Sequence, residues 1–126
     1  MANRWFNQFR FSLEKKVVDL FAKVAVGSSG AATVTRAQGV ASVVRNSAGN
    51  YTVTLQDKYN ALLNSSITLI TPTGAPAAPQ AWVVSEDVAG AKTIIVQFAA
   101  AGVATDPASG ESFMVKLSLS NTSLNP

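Results

Sequence analysis

The sequence predicts an all-β protein, an antiparallel β-sandwich or jelly-roll-like fold in a single domain, and three observations predict it. Apolar residues alternate with polar ones at a period of two, as half-buried strands require. About eight such runs recur at spacings of roughly ten to fifteen residues, each closed by Gly, Pro, Asn or Ser. The composition is short of charge: of 126 residues, 48% are apolar and 13% charged, the latter about half the usual share. The expected organisation is an N-terminal arm over residues 1–11 and one sandwich domain over residues 12–126, with at most one or two short helical turns.

Residues 1–11 hold Trp5, Phe6, Phe9 and Phe11, four of the ten aromatics, interleaved with Arg4 and Arg10. Aromatics and Arg are the residue types enriched at interface centres, and a chain terminus leaves a globule most easily. The segment reads either as a first strand folded back on its own domain or as an arm that docks on a neighbour. Residues 12–26 carry two periods. Leu13, Val17, Leu20, Phe21 and Val24 fall at helical spacing behind Ser12, whereas Val18, Leu20, Ala22, Val24 and Val26 alternate as a strand. The strand over Val17 to Val26 is preferred, because that run is rich in Val and ends in the turn Gly27-Ser28-Ser29-Gly30.

Ala31 to Thr35 is a short apolar run that leads into a polar turn at Arg36 to Gly39. Val40 to Val44 is rich in β-branched residues, and in the following run Tyr51, Val53 and Leu55 alternate with Thr52, Thr54 and Gln56. A five-residue loop, Asn46 to Asn50, joins these two strands, with Gly49 suited to a positive φ. The hairpin is expected to fix the core through Gly49, Tyr51, Val53 and Leu55. Asp57 to Leu63 predicts one helical turn capped by Asp57, with Leu62 and Leu63 turned inward.

Ser65 to Thr71 resumes a strand. Pro72 to Pro79, with three prolines, predicts a surface loop. Ala81 to Ser85 and Lys92 to Phe98 are strands around a turn that starts with Glu86 and Asp87, and residues 99–112 form a small-residue connection with turn chemistry at Asp106 to Gly110. Phe113, Val115, Leu117 and Leu119 then alternate with Met114, Lys116 and Ser118 in the clearest half-buried strand of the chain.

The chain has no Cys and no His. Disulfides, thiolate nucleophiles and zinc–sulfur sites are thereby excluded, along with the usual general base and the commonest transition-metal ligand. Adjacent Glu86 and Asp87 point to opposite faces of a strand, unlike the paired carboxylates of a glycosidase. Asp106 and Glu111 lack the alternating oxygens of a calcium loop, and the Gly27 to Gly30 turn lacks the Lys of a phosphate-binding loop. No Ser has a histidine partner. The expectation is a non-enzyme with no catalytic residues, no metal and no cofactor. Trp82, Tyr51 and Tyr59 present either a sugar-stacking platform or core packing, of which core packing is expected.

Net charge is +3, from ten Lys and Arg against seven Asp and Glu, and residues 1–23 carry all of the excess. That is mild for a nucleic-acid binder, and no apolar run approaches a membrane span or a signal-peptide core. Neither nucleic acid nor membrane is an expected partner, and synthesis in a cytosol is.

Three stretches, FSLEKKVVDLFAKVAVGSSGA, GVASVVRNSAGNYTVTLQDKY and GVATDPASGE, resemble small structural proteins of tailed bacteriophage virions, over most of the chain. The resemblance implies a capsid decoration or cement protein, a small β-rich domain on the capsid exterior, commonly a trimer, made in the cytoplasm of a bacterial host. It implies the major capsid protein and further copies of this chain as partners. The arm residues Arg4, Trp5, Phe6, Phe9, Arg10 and Phe11 are then the expected capsid contact. The rival readings are a head-fibre or tail-associated module that binds a host-surface glycan near Trp82, Tyr51 or the Pro72–Pro79 loop, and a soluble carbohydrate-binding module.

Overall fold

The structure, a computed structural model, describes residues 17–72 and 74–121. The arm assigned to residues 1–11 lies outside the described residues. Nine strands form among the described residues: β1 (Val17–Val26), β2 (Ala32–Gln38), β3 (Val40–Ser47), β4 (Asn50–Leu55), β5 (Ala61–Ile70), β6 (Gln80–Asp87), β7 (Thr93–Ala100), β8 (Val103–Ala104) and β9 (Ser112–Ser120). One sheet has the order β2-β1-β9-β5, the other β3-β4-β7-β6 with β8 added to β7. Every pairing is antiparallel. The two sheets pack face to face as an antiparallel β-sandwich.

The period of two decides which side chains enter the core. In β1 Leu20, Ala22, Val24 and Val26 are buried while Asp19, Phe21 and Lys23 are exposed, so this run is a strand and the helical spacing is coincidental. Phe113, Val115, Leu117 and Leu119 of β9 face the same interior, and Tyr51, Val53, Leu55, Ile94, Val96 and Phe98 meet them from the other sheet. Tyr51, Phe98 and Phe113 form an aromatic trio across the sandwich, with ring centroids 4.8 to 5.7 Å apart. Such tilted and edge-on pairs add stabilisation beyond the area they bury.

Four expectations about local structure are corrected. The helical turn predicted at Asp57 to Leu63 is absent, because its backbone donors are taken elsewhere: the Tyr59 N–H donates to the Val88 carbonyl at 3.0 Å and the Asn60 N–H to that of Ser120 at 2.9 Å. Ala61 already begins β5, and a register shift between Leu62 and Asn64 leaves Leu63 exposed. The helical turn that does form is a 3-10 turn at Ser28–Gly30.

The loop expected over Asn46 to Asn50 shrinks to Ala48 and Gly49, since a bulge between Arg45 and Ser47 lets Ser47 pair with Asn50. The polar turn expected at Arg36 to Gly39 is mostly strand, as β2 runs to Gln38 and only Gly39, at φ 78°, makes the crossing to β3. Residues 99–112 are not irregular throughout: β7 turns back into β8 through Ala101 and Gly102, both at positive φ (51° and 79°), the hairpin geometry that matches strand twist.

Candidate functional site

Charged side chains meet at one end of the sandwich. Arg45, near the end of β3, is held by Asp106, in the connection from β8 to β9. Its Nε donates to Asp106 Oδ1 at 2.9 Å and its Nη2 to Oδ2 at 2.8 Å. Asp106 Oδ1 also accepts the Gly49 N–H at 2.7 Å. Gly49 sits at φ 69°, and a Cβ there would lie 2.3 Å from the Phe98 carbonyl oxygen. Gly30 closes the other side, where a Cβ would lie 2.5 Å from the Asp106 carboxyl carbon, and its carbonyl accepts the buried Tyr51 hydroxyl at 2.7 Å.

These contacts set the electrostatics. The Arg45 guanidinium holds the Asp106 carboxyl below the usual carboxylate range, and the Gly49 N–H adds to this against the opposing effect of burial. Burial, reinforced by the negative charge of Asp106, pushes Tyr51 up to about 12. The cluster ties the Ser28–Gly30 turn, the β3–β4 hairpin and the Asp106 loop together. Its polar groups are directed at one another, so it acts as a structural brace.

The remaining acids of interest cap turns. The Asp87 carboxylate accepts the Gly90 and Ala91 N–H groups at 3.1 and 3.0 Å. Glu86 Oε2 accepts the Val88 N–H at 3.2 Å, and buried Glu111 accepts that of Ala108. Among the described residues no group of three or more His, Cys, Asp or Glu lies together as a metal ion needs, and no helix is long and apolar enough to cross a membrane.

The outer face of the β2-β1-β9-β5 sheet carries a shallow groove of about 570 Å³. Strand register builds it in two rows. Phe21 pairs with Lys116, which pairs with Ser66; Arg36 pairs with Lys23, which pairs with Met114 and then Thr68. Phe21 and Met114 thus occupy one diagonal and Lys23 and Lys116 the other, with Arg36 beside them. Among the described residues none of these three cations forms an ion pair. Asp19, further along β1, accepts the Ser118 hydroxyl at 2.8 Å.

The outer face of the opposite sheet is uncharged across its middle. Val44, Thr52, Ile95 and Ser85 form one row, and Asn50, Gln97 and Trp82 the next. A register shift between Val83 and Ser85 leaves Val84 outside the ladder, and Val44, Val84 and Trp82 are all about half exposed. Asn46, Asn50, Thr52 and Gln97 join through side-chain hydrogen bonds of 2.6 to 3.1 Å.

Of the residues singled out in the sequence, Tyr51, Val53 and Leu55 are completely buried, and Gly49 is locked in the brace. Arg4, Trp5, Phe6, Phe9, Arg10 and Phe11 lie outside the described residues. Trp82, Tyr51 and Tyr59 do not share a platform: Tyr51 is in the core, Tyr59 packs at its margin, and Trp82 alone of the three is exposed. Sequence reasoning missed the groove. Its signal was the outward position of Phe21 and Lys23 in one alternating run and of Met114 and Lys116 in another. In comparison with known proteins, no family model, no curated protein and no solved structure matches the chain.

Proposed function

We propose that the chain is a non-enzymatic structural protein of a tailed-phage virion, a decoration or cement protein made in the bacterial cytoplasm. It binds the outer surface of the capsid lattice as a homotrimer and bridges subunit junctions. The observation that carries this reading is the presence of exposed apolar side chains on both broad faces of the sandwich, Phe21 and Met114 on one and Val44, Val84 and Trp82 on the other. Apolar surface grouped in this way favours contact with partners. A domain with two such faces suits a position between a lattice and a sister subunit.

The mechanism is additive association. Each protomer adds weak contacts across a junction, and trimerisation multiplies them through effective concentration without requiring a strong single site. The capsid contact in this reading includes Arg4, Trp5, Phe6, Phe9, Arg10 and Phe11. Deleting residues 1–11 is expected to abolish binding to undecorated capsids while the domain still folds. Unchanged capsid binding by the truncated protein overturns the role of the arm, and a monomer by native mass measurement, both free and eluted from the lattice, overturns the trimer.

The alternative reading, a head-fibre or tail-associated module that binds a host glycan, is favoured by one observation. Trp82 is 45% exposed in a row with Gln97 and Asn50. An aromatic plane beside amide donors and acceptors is chemistry that suits a sugar ring. A glycan array with Trp82→Ala as control separates the readings: signal abolished by the substitution supports this one, and no signal removes it.

A further inference from the structure

We propose that the groove on the outer face of the β2-β1-β9-β5 sheet is a binding site for an acidic, apolar-bearing polypeptide segment in extended conformation. The argument begins with charge. Lys23, Arg36 and Lys116 converge on one face without an ion-pair partner among the described residues, and the fold itself makes no use of their charge. Cations placed together in this way are mutually repulsive, and an anionic partner relieves that repulsion.

The groove floor distinguishes between anions. Phe21 and Met114 are 48% and 37% exposed between the cations, so the site offers apolar area and positive charge together. A nucleic-acid backbone answers only the charge, and three cations with a single aromatic are few for its binding. A polypeptide with carboxylate and aliphatic side chains answers both. The volume of about 570 Å³ accommodates a handful of side chains. Spacing fits as well: diagonal neighbours on an antiparallel pair lie about 7–8 Å apart, and side chains two apart on an extended chain lie about 7 Å apart. Carboxylates at i and i+2 therefore reach both Lys23 and Lys116, while apolar residues on the same face of the segment, at i−2 and i+4, lie along the groove beside Phe21 and Met114. This chemistry stands whether or not the segment belongs to a capsid subunit.

The test is an NMR titration of the full chain, isotope-labelled, with the peptide Leu-Ser-Glu-Ser-Glu-Ser-Leu, whose Leu and Glu side chains share one face when it is extended. The expected result is saturable amide shifts confined to β1, β2 and β9 around Lys23, Arg36 and Lys116, weakening as salt is raised. Replacing both Glu of the peptide by Ser should abolish the shifts, and the double variant Lys23→Gln with Lys116→Gln should weaken binding roughly tenfold. Phe21→Ser should weaken it independently. The amide spectrum of each variant reports its folding, and the single variant Lys116→Gln replaces the double should the latter unfold. Absence of shifts at the groove, shifts unaffected by the lysine substitutions, or tighter binding of a single-stranded oligonucleotide than of the peptide each overturns the proposal.

Discussion

Two groups of charged residues in this fold stand in opposite relations to it. Arg45 and Asp106 meet in a two-bond pair, share it with the Gly49 N–H, and sit against two glycines that leave no room for a side chain. Lys23, Arg36 and Lys116 occupy neighbouring register positions on the outer face of the β2-β1-β9-β5 sheet, yet no acidic side chain among the described residues forms an ion pair with them. The first group is satisfied internally, so substitutions there are felt as lost stability. The second contributes little to folding, so substitutions there are felt only when a partner is present. Charge alone does not tell a brace from a binding face; the presence or absence of an internal counterpart does.

The largest expected effect lies in the brace. Gly49→Ala places a Cβ against the Phe98 and Thr105 carbonyls at a positive φ, and should cost about 3 kcal/mol or more in urea unfolding. A loss below about 1 kcal/mol would show that the hairpin can shift away from Asp106. Next, Asp106→Ala leaves the Arg45 guanidinium and the Gly49 N–H without their acceptor and should cost about 2 kcal/mol.

The same residue carries an acid limb. Its folded pKa is depressed, so its contribution is present above the unfolded value, near pH 4, and is lost as pH falls through the folded value. That limb should be absent from the unfolding midpoints of Asp106→Ala. Tyr51 gives the mirror case. Its folded pKa is raised to about 12, so its contribution is complete below about pH 10 and declines by about 1.4 kcal/mol per pH unit between the two values. Tyr51→Phe should remove this alkaline slope, and an unchanged slope would assign it to other groups. The smallest effect belongs to the groove: Lys23→Gln and Lys116→Gln should each change stability by no more than about 0.5 kcal/mol. A larger loss would place these lysines with the brace and break the contrast.

How much of this was legible in the sequence follows from what each element depends on. β4 and β9 are readable residue by residue, because each has one wet face and one dry face, and the period of two records that directly. β1 carries a helical spacing as well, and only its Val content and the Gly/Ser turn that closes it favour the strand. The start of β5 is not readable, because Asp57 to Leu63 has the local chemistry of a capped turn and is overruled by hydrogen bonds to Val88 and Ser120, residues distant in the chain. Asp106 looked like an ordinary turn residue before Pro107; nothing local connects it to Arg45, sixty-one positions away. The groove failed to emerge for the same reason. Met114 and Lys116 alternate with the apolar positions of one run, and Phe21 and Lys23 with those of another, but their meeting requires the β1–β9 pairing, which no local pattern encodes.

That pairing has a mechanical consequence. Val17 at the start of β1 lies opposite Ser120 at the end of β9, in the middle of the sheet. Tension applied between these two points loads the hydrogen bonds of the pair one after another, as in a zipper, so the sandwich resists little force along this direction. The same adjacency makes the chain suited to circular permutation: a short linker from Ser120 to Val17, with new ends opened in the Pro72–Pro79 loop, leaves all nine strands intact. In such a permutant, force between the new ends would reach β5 and β6 first, and the β1–β9 zipper would no longer be the first point to open.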